Sequence, residues 1–308
     1  MTNAWVALIP PKTFAPDVTP PGSKSVANRA LVCAALADGK SRIRGFARAD
    51  DTKLLILALR KLGFKIEPAA PSDLLVEGGT VTATEATLDL GNAGTSFRFA
   101  LAVAALGTGR YTLDGEPRMR ERPIAGLVDA LRALGAKIEY AGVDGFPPVR
   151  VTASGLSGGR VTVDSTASSQ FLSGLLLVSP LARATVEIEN AGAVSSAGYV
   201  DMTRRVMKSF GGEAGRYRAT DYTVEADAAS AGYWAAIAAV TGGSARIRGV
   251  RADGSQPECG FLGDLQRMGA RLETDDGGTR IQGGELKGID ADLNGRPDSV
   301  PACAPPAD

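Results

Sequence analysis

The sequence predicts an α/β protein built from repeats. Four segments share one ending, an amphipathic helix that stops at a glycine and is followed by a short alternating strand, and the glycines are Gly63, Gly135, Gly211 and Gly269. A glycine just after a helix adopts the left-handed conformation without steric strain. A strand precedes each of these helices, and a helix of small residues precedes that strand. Strands and helices that alternate at a regular interval are typical of an α/β repeat protein.

Helix starts recur at equivalent places in these repeats. Short polar residues that can cap a helix stand before each run of small apolar residues, at residues 22–25, 92–95, 165–169, 227–230 and 297–299. The strand after each of the first four helices is predicted at residues 41–45, 111–115, 185–189 and 245–249. Because a helix N-terminus carries unpaired N–H groups and about half a positive charge, several starts at one cleft would form an anion site. For any single start, a cap that only stabilises its helix explains the same residues.

The composition limits the kinds of partner and of chemistry. The chain has 308 residues, 44% of them hydrophobic, which suits one large or two ordinary domains. Lysine plus arginine and aspartate plus glutamate both total 34, so no overall basic field favours nucleic acid or a membrane surface. The absence of histidine excludes serine–histidine–aspartate triads, cysteine–histidine pairs and histidine-ligated metal sites. Lysine, arginine, aspartate and hydroxyl groups are left for chemistry.

The cysteines and the apolar runs bear on location. Cys33, Cys259 and Cys303 have no metal-ligand spacing and are too few for a disulfide framework, so we expect inert thiols in a reducing cytoplasm and no metal. The longest apolar stretch, residues 171–182, is interrupted by polar residues and is shorter than the ~20 residues that span a bilayer. It predicts a buried helix. The N-terminal residues lack a charged leader followed by an apolar run, so we expect no signal peptide.

The first helix start carries the strongest candidate for phosphate binding. Residues 21–25 read Pro-Gly-Ser-Lys-Ser, with a glycine that permits close backbone approach and with Lys24 and Ser25 where a phosphate or carboxylate would dock. Arg29 follows on the same face of the helix. The Walker spacing is absent, so ATP is not indicated. The competing interpretation is a basic cap that faces water.

A second helix start and an arginine loop add candidates. Gly94 lies in an Asn-Ala-Gly-Thr turn at the positive end of the next helix. A loop bounded by two prolines holds Arg118, Arg120 and Arg122, where a guanidinium can form a fork with a doubly charged phosphate. A solvated charged face explains Arg118 and Arg120 equally well. Arg122 is expected at the start of a helix, because a proline follows it.

Hydroxyl and amide groups mark two places in the third repeat. Ser168, Ser169 and Gln170 stand at a helix start and offer neutral donors and acceptors suited to a hydroxylated, phosphorylated small molecule. Ser196 and Tyr199 lie in a loop of the same repeat, where a hydroxyl and a phenol would complete such a site. An ordinary cap and a plain turn are the competing interpretations.

The fifth start contains a carboxylate and is followed by an unusual tail. Near a lysine, the carboxylate of Asp298 can exchange a proton with a substrate hydroxyl, although a helix-capping role explains it equally well. The tail contains Pro305 and Pro306, and prolines are predicted to exclude the helix that earlier repeats would continue here. We therefore expect an unfinished fifth repeat, whether it comes from a fragment, a shifted reading frame or a natural short form.

Taken in order, these motifs resemble the 5-enolpyruvylshikimate-3-phosphate synthase family. The matching segments are Pro-Gly-Ser-Lys-Ser at 21–25, Asp-Asp-Thr at 50–52, Leu-Gly-Asn-Ala-Gly-Thr at 90–95, Gly-Glu-Pro-Arg-Met-Arg-Glu-Arg-Pro at 115–123 and Ser-Ser-Gln-Phe-Leu at 168–172. The resemblance runs through nearly the whole chain. The sister family of UDP-N-acetylglucosamine enolpyruvyl transferases opens with a Gly-Ala-Lys-Asn type motif and has a loop cysteine, neither of which is present here.

The resemblance implies the two-domain enolpyruvyl transferase fold, in which six βαβαββ repeats form two globes of three. On that basis four repeats and a fragment are present. We expect a complete three-repeat domain at residues 22–225 and an incomplete second domain made of residues 1–21 plus 226–308. The family's later motifs, with a catalytic glutamate, arginines that bind phosphoenolpyruvate and a lysine, have no counterpart in this sequence. The expected state is a monomer without cofactor.

The resemblance also assigns the candidate residues to two substrates. It implies that shikimate 3-phosphate is bound by Lys24, Ser25, Arg29, Ser168, Ser169, Gln170, Ser196, Tyr199 and Asp298. It implies that phosphoenolpyruvate is bound by Lys24, Gly94, Arg122 and Gln170. Asp298 would accept a proton, and Lys24 would stabilise developing charge and donate a proton. Where the family usually has a basic residue and a proline after the loop serine, this chain has Ala197 and Gly198.

The implied reaction adds the 5-hydroxyl of shikimate 3-phosphate to C2 of phosphoenolpyruvate while C3 is protonated, and then expels phosphate. It belongs to the biosynthesis of chorismate and the aromatic amino acids. Two alternatives stay open at this point. One is a truncated homologue that binds shikimate 3-phosphate without turnover, and the other is an enolpyruvyl transferase for another phosphorylated cyclic acid.

Overall fold

A computed structural model of the chain describes residues 14–212 and 215–307. The chain divides into two compact units. The larger unit contains residues 22–225, and the smaller unit contains residues 1–21 and 226–308. Within the part of the chain that is described, no helix combines the length and apolar character needed to cross a membrane.

The elements alternate between strands and helices, as the sequence predicts. In chain order they are β1 (Asp17–Val18), α1 (Lys24–Ala35), β2 (Lys40–Arg44), α2 (Asp50–Lys61), β3 (Lys65–Ala70), β4 (Asp73–Glu77), β5 (Glu85–Asp89), α3 (Gly94–Ala105), β6 (Arg110–Asp114), α4 (Ala125–Ala133), β7 (Lys137–Tyr140), β8 (Val149–Thr152), β9 (Gly159–Val163), α5 (Ser169–Val178), β10 (Val186–Asn190), α6 (Gly198–Ser209), β11 (Asp221–Thr223), α7 (Ala228–Val240), β12 (Ser244–Arg248), α8 (Gly260–Met268), β13 (Arg271–Asp275), β14 (Gly278–Gln282) and α9 (Val300–Ala307). Short 3-10 turns include Met119–Glu121 and Pro297–Ser299.

The glycines predicted to end helices do so. α2, α4, α6 and α8 stop within two residues of Gly63, Gly135, Gly211 and Gly269. At these glycines φ is 104°, 97°, 75° and 122°, which is the left-handed region that a side chain would strain. The strands predicted to precede these helices are also confirmed, as β2, β6, β10 and β12.

Three four-stranded sheets share one plan. In the orders β11-β2-β4-β3, β5-β6-β8-β7 and β1-β12-β14-β13, each sheet joins a parallel pair to an antiparallel hairpin. The strand that joins the parallel pair to the hairpin, here called the central strand, is β2, β6 or β12, and it has a neighbour on both edges. Because side chains alternate along a strand, every second residue faces the helices. These inward residues of β2, β6 and β12 are at most 1% exposed, and they are Ser41, Ile43, Tyr111, Leu113, Ala245 and Ile247.

The third repeat keeps only half of that plan. β9 and β10 pair in parallel, but among the described residues no hairpin joins them. In the other repeats the segment from the helix-ending glycine through the hairpin covers residues 63–77, 135–152 and 269–282, whereas only residues 212–220 lie between Gly211 and β11. The strand predicted directly after Gly211 falls in part on residues 213 and 214, which lie outside the described residues, and residues 212 and 215–220 form no strand. The next strand, β11, pairs with β2 instead.

The helices of the larger unit form two classes. α1, α3 and α5 are buried over most of their length, which their small and apolar residues permit, and α5 confirms the predicted buried helix. α2, α4 and α6 each bury one face and expose the other. Since α1 packs on α2, α3, α5 and α6, the starts of these helices are held in fixed relation to one another.

The chain also forms a helix at the fifth predicted start. The turn Pro297–Ser299 leads into α9, which includes positions 305 and 306. The prediction that Pro305 and Pro306 exclude a helix is therefore wrong. The fixed φ of proline, near −65°, is itself helical, so a proline can lie in a helix although it removes a backbone hydrogen bond and its ring crowds the preceding turn.

Candidate active site

The start of α1 is held by a backbone contact and a serine cap. Ser23 accepts a hydrogen bond from the Val26 N–H at 3.5 Å. A Cβ atom on Gly22 would lie 1.9 Å from the carbonyl oxygen of Gly45, so this position requires glycine. The close approach that the sequence predicts at this glycine is thus made to the protein's own backbone. It fixes the position of Lys24, the first residue of α1.

Lys24 faces the first turn of α2. Its Nζ lies 3.7 Å from the carboxylate of Asp51, and its side chain is 45% exposed. The backbone carbonyl of Asp51 accepts a hydrogen bond from the Ser96 hydroxyl at 2.7 Å. These contacts join the starts of α1, α2 and α3. They leave the ammonium group accessible to a ligand.

Arg122 lies against the start of α3. Its Nη1 donates to the Asn92 carbonyl at 2.9 Å. A Cβ atom on Gly94 would lie 2.5 Å from Arg122 Cζ, so only glycine permits this approach. Arg122 itself lies between the turn Met119–Glu121 and α4, and not within the start of α4 as predicted, because α4 begins only at Ala125.

The other two arginines of this loop have local partners. Arg118 pairs with Glu121, and Arg120 donates to both carboxylate oxygens of Asp114, at 2.9 and 2.6 Å. Their side chains are 70% and 51% exposed. The solvated charged face is therefore the better interpretation for these two residues.

Arg98 holds Gln170 from inside the larger unit. Arg98 is 3% exposed, and its Nη1 donates to Gln170 Oε1 at 2.6 Å while its Nη2 donates to the Pro123 carbonyl at 2.8 Å. Its guanidinium lies 5.2 Å from the centre of the Phe171 ring. Burial, and then the positive charge of Arg122, lower the pKa of Arg98 to about 10. A nearby anion would relieve the repulsion between these two arginines.

No recognised motif marks Arg98, but its sequence carries a signal. It is the one charged residue of α3, whose other residues are small, hydroxylated or apolar. Because arginine is seldom buried unless it is paired, an arginine in such a helix indicates a buried partner. The sequence could not identify Gln170 as that partner.

Arg29 is buried and links α1 to α6. It is 1% exposed, and its Nε donates to the Thr203 hydroxyl at 2.7 Å. Its Nη1 donates to the Ser25 carbonyl at 2.8 Å and its Nη2 to the Tyr199 carbonyl at 3.2 Å. Its guanidinium also faces the Phe99 ring at 5.4 Å. Arg29 thus holds the first turn of α6, and its predicted contact with a substrate stays a prediction.

The start of α5 presents three adjacent polar side chains. Ser168 is the N-cap and accepts a hydrogen bond from the Gln170 N–H at 3.2 Å. Ser169 is buried, whereas Ser168 and Gln170 are partly exposed. The predicted cap is therefore present, and the Gln170 amide is fixed by Arg98 beside it.

The loop before α6 lies beside this helix start. The Ser195 N–H donates to the Ser165 carbonyl at 3.3 Å, which joins the loop to the segment that leads into α5. Ser196 has a φ of 52°, an uncommon value for a residue with a side chain, and its carbonyl accepts from the Tyr199 N–H at 3.1 Å. Ser196 and Tyr199 are thus brought close to the start of α5.

The larger unit therefore gathers five helix N-termini and most of the predicted residues. The starts of α1, α2 and α3 are linked through Asp51, α3 is linked to α5 through Arg98, and α1 is linked to α6 through Arg29. Helix dipoles, Lys24 and Arg122 all contribute positive potential at these starts. Such an arrangement can bind phosphate and carboxylate groups.

Asp298 belongs to the smaller unit. It is exposed in the turn Pro297–Ser299 that precedes α9. Its predicted place in the site stays a prediction. Among the residues that the structure describes, no group of three or more histidine, cysteine, aspartate or glutamate side chains is placed to hold a metal ion.

Comparison with known proteins identifies the family. The family model of EPSP synthase (3-phosphoshikimate 1-carboxyvinyltransferase) matches residues 9–307. The chain belongs to the EPSP synthase family. A 3-phosphoshikimate 1-carboxyvinyltransferase of Sulfurovum sp. is 40% identical over 313 aligned positions, which cover 96% of this chain and 73% of the relative. One of Syntrophobacter fumaroxidans is 43% identical over 92% of this chain and 71% of the relative.

A solved structure agrees with this family membership. The EPSP synthase of Acinetobacter baumannii superimposes with a TM-score of 0.78 and 26% sequence identity, over 94% of this chain and 70% of that chain. The predicted family, the two-domain enolpyruvyl transferase fold and the assignment to the transferases are confirmed.

Proposed function

We propose that this chain transfers the enolpyruvyl group of phosphoenolpyruvate to the 5-hydroxyl of shikimate 3-phosphate and releases phosphate. This reaction serves the biosynthesis of chorismate and the aromatic amino acids. The observation that carries the proposal is the set of convergent helix starts, at which Lys24 and Arg122 face outward and buried Arg98 holds Gln170. The name that the relatives share favours this reaction over binding alone and over transfer to another phosphorylated cyclic acid.

Phosphoenolpyruvate fits the basic part of this site. It carries a phosphate and a carboxylate, and we assign its contacts to Lys24, Gly94, Arg122 and Gln170. The glycine lets the guanidinium of Arg122 lie directly on the start of α3, where the N–H groups of the helix add to its charge. Gln170 supplies a neutral donor whose orientation Arg98 sets through its carbonyl oxygen.

Shikimate 3-phosphate fits the hydroxyl-rich part. We assign its contacts to Lys24, Ser25, Arg29, Ser168, Ser169, Gln170, Ser196, Tyr199 and Asp298. Serine hydroxyls and the tyrosine phenol donate and accept, as the hydroxyl groups of a polyol ring require. Because Arg29 is buried, its contribution to binding would come mainly through the positions of Ser25 and Tyr199.

The chemistry needs one proton acceptor and one proton donor. As the 5-oxygen of shikimate 3-phosphate bonds to C2 of phosphoenolpyruvate, its proton passes to Asp298 and C3 gains a proton from Lys24. The adduct then returns a proton from C3 to Lys24 and expels phosphate from C2, which restores the double bond, and the proton held by Asp298 leaves with the phosphate. Lys24 also stabilises negative charge in the transition state, and Asp51 holds it in place for that role.

The wider organisation is part of the same proposal. Residues 22–225 form one domain, and residues 1–21 plus 226–308 belong to the second. The chain acts as a monomer in the cytoplasm, without a cofactor.

Release of phosphate by the purified 308-residue chain tests the proposal. With both substrates we expect turnover, and with either substrate alone we expect none. Lys24→Met and Arg122→Met should each lower kcat/KM by about 100-fold or more, the range for loss of a proton donor or a charge clamp. Arg118→Met is the matched control, because its partner is the adjacent Glu121, and it should stay near wild type. No phosphate release from a folded chain that still binds shikimate 3-phosphate would refute the proposal.

A further inference from the structure

The third repeat leaves one edge of a sheet open. In the other sheets the central strands β2, β6 and β12 pair in parallel on one side and with β4, β8 and β14 in antiparallel fashion on the other. β10 holds the equivalent place, and of the described strands only β9 pairs with it. An open edge with this geometry is a template for a further antiparallel strand.

The inward side chains of β10 lack the cover that their counterparts have. Ile43, Leu113 and Ile247 in the other central strands are 0% exposed. Val186 and Ile188 of β10 face the helices in the same way but are only partly buried. They line a groove of about 400 Å³ together with apolar residues of α5 and α6, which are Leu172, Leu176 and Val200. Polar residues, among them Asp201 and Arg204 of α6, also line this groove. The groove lies where the inward side chains of an antiparallel neighbour would pack.

The outward face of β10 is acidic. Glu187 and Glu189 are 66% and 58% exposed, and both face Arg160 of β9 at 3.4 and 3.6 Å. The first repeat shows how such a face is completed. There the basic side chains of β2 are opposed by acidic side chains of the added strand β4, as in the pairs Lys40–Glu77 and Arg42–Asp73, at 3.6 and 2.8 Å. At β10 the sign is reversed, so the complementary strand is basic.

We propose that the β10 edge binds an extended segment of a partner protein, added antiparallel to β10. The segment places apolar side chains in the groove and lysine or arginine side chains opposite Glu187 and Glu189. Strand addition of this kind takes affinity from main-chain hydrogen bonds and specificity from alternate side chains. A second copy of this chain fits poorly, because any antiparallel pairing of β10 with itself that keeps apolar residues inward sets glutamate against glutamate.

Fluorescence anisotropy with labelled peptides about seven residues long tests the proposal on the full chain, since seven residues cover a strand of usual length. One peptide alternates lysine and valine, a second alternates glutamate and valine, and a third alternates lysine and serine. We expect the lysine–valine peptide to bind at least about fivefold more tightly than either of the others, because each complementary cross-strand pair adds a modest increment. Equal binding of the lysine–serine peptide would show charge attraction alone and would overturn the proposal.

Charge reversal on β10 is the second test of the proposal. In the double variant Glu187→Lys with Glu189→Lys, both changes lie at exposed positions, and the preference should invert toward the glutamate–valine peptide. The matched control, Glu85→Lys with Glu139→Lys, makes the same change in net charge at exposed positions of another sheet and should keep the wild-type preference. The same change in peptide preference in both double variants would contradict the proposal. So would a concentration-dependent dimer in sedimentation that the single change Glu187→Lys strengthens, because that change sets a lysine against Glu189 of a second copy paired at this edge.

Discussion

Replacing Arg98 by methionine separates the effect of its buried charge on folding stability from the effect of that charge on turnover. Methionine keeps much of the side-chain volume beside Phe171 and removes the guanidinium. The carbonyl oxygens of Gln170 and Pro123 then lose their donors, at about 1 kcal/mol each, because both hydrogen bonds are only partly buried and water can replace the donor. In the other direction, burial and the charge of Arg122 lower the pKa of Arg98 to about 10, which corresponds to ~3 kcal/mol against the charged form that the variant recovers. We therefore expect the free energy of unfolding to change by less than about 2 kcal/mol.

The effect on turnover should be larger than this change in stability. Without Arg98 the Gln170 amide can rotate, and a displaced substrate-binding group lowers kcat/KM by about 10- to 100-fold. Phosphate release measures kcat/KM, and urea unfolding measures stability. The decisive comparison is a double-mutant cycle with Gln170→Ala. If Arg98 acts through Gln170, the losses should fail to add by about 1 kcal/mol or more. Additive losses, or near-normal kcat/KM in Arg98→Met, would refute this reasoning.

Three further perturbations follow from single contacts. Gly94→Ala places a methyl group 2.5 Å from the Arg122 guanidinium, so the KM for phosphoenolpyruvate should rise about tenfold, as for loss of a charged hydrogen bond, while an unchanged KM would contradict the assigned contact. The hydrogen bond from Arg42 holds the pKa of Asp73 below its ordinary value. The stability from this carboxylate is therefore present above about pH 4 and lost as pH falls through the lowered pKa, so the urea midpoints of wild type and Asp73→Asn should differ by a constant amount from pH 7 to about pH 4 and converge below about pH 4. Burial raises the pKa of Cys33, so alkylation followed by mass spectrometry should modify it only after unfolding, and rapid modification of the native chain would count against this.

The elements that the sequence predicted well are those set by local chemistry. A glycine that ends a helix and a serine or aspartate that begins one act within one turn, and Gly135 and Asp227 do so in the structure. Features that depend on segment length or on partners distant in sequence were missed. The segment between Gly211 and β11 is shorter than its counterparts in the other repeats, and this length indicates that the hairpin is missing. The prediction of a strand after Gly211 relied on repeat periodicity alone. α9 includes position 305, so the rule that proline excludes a helix was applied too strictly there.

The candidate site was predictable in its polar residues and not in their support. Lys24 and Arg122 belong to recognisable motifs. Only the structure shows that Gly94 leaves room for the Arg122 side chain and that Arg118 pairs with Glu121. The burial of Arg29 could not be inferred either, because its partners come from a helix far along the chain. Motifs thus marked the places that face a ligand, while the buried groups that hold them are fixed by tertiary packing.

The missing hairpin of the third repeat also bears on how this architecture can evolve. Although the described residues of this repeat contain no hairpin, Ser168 caps α5 and Gln170 contacts Arg98. The helices that organise the site contact one another in the interior, whereas each hairpin occupies one edge of its sheet. Insertions and deletions can therefore accumulate in the hairpins with little effect on the helix starts. In such a scaffold the hairpins, and the partners that bind to them, can change during evolution at a different rate from the residues of the active site.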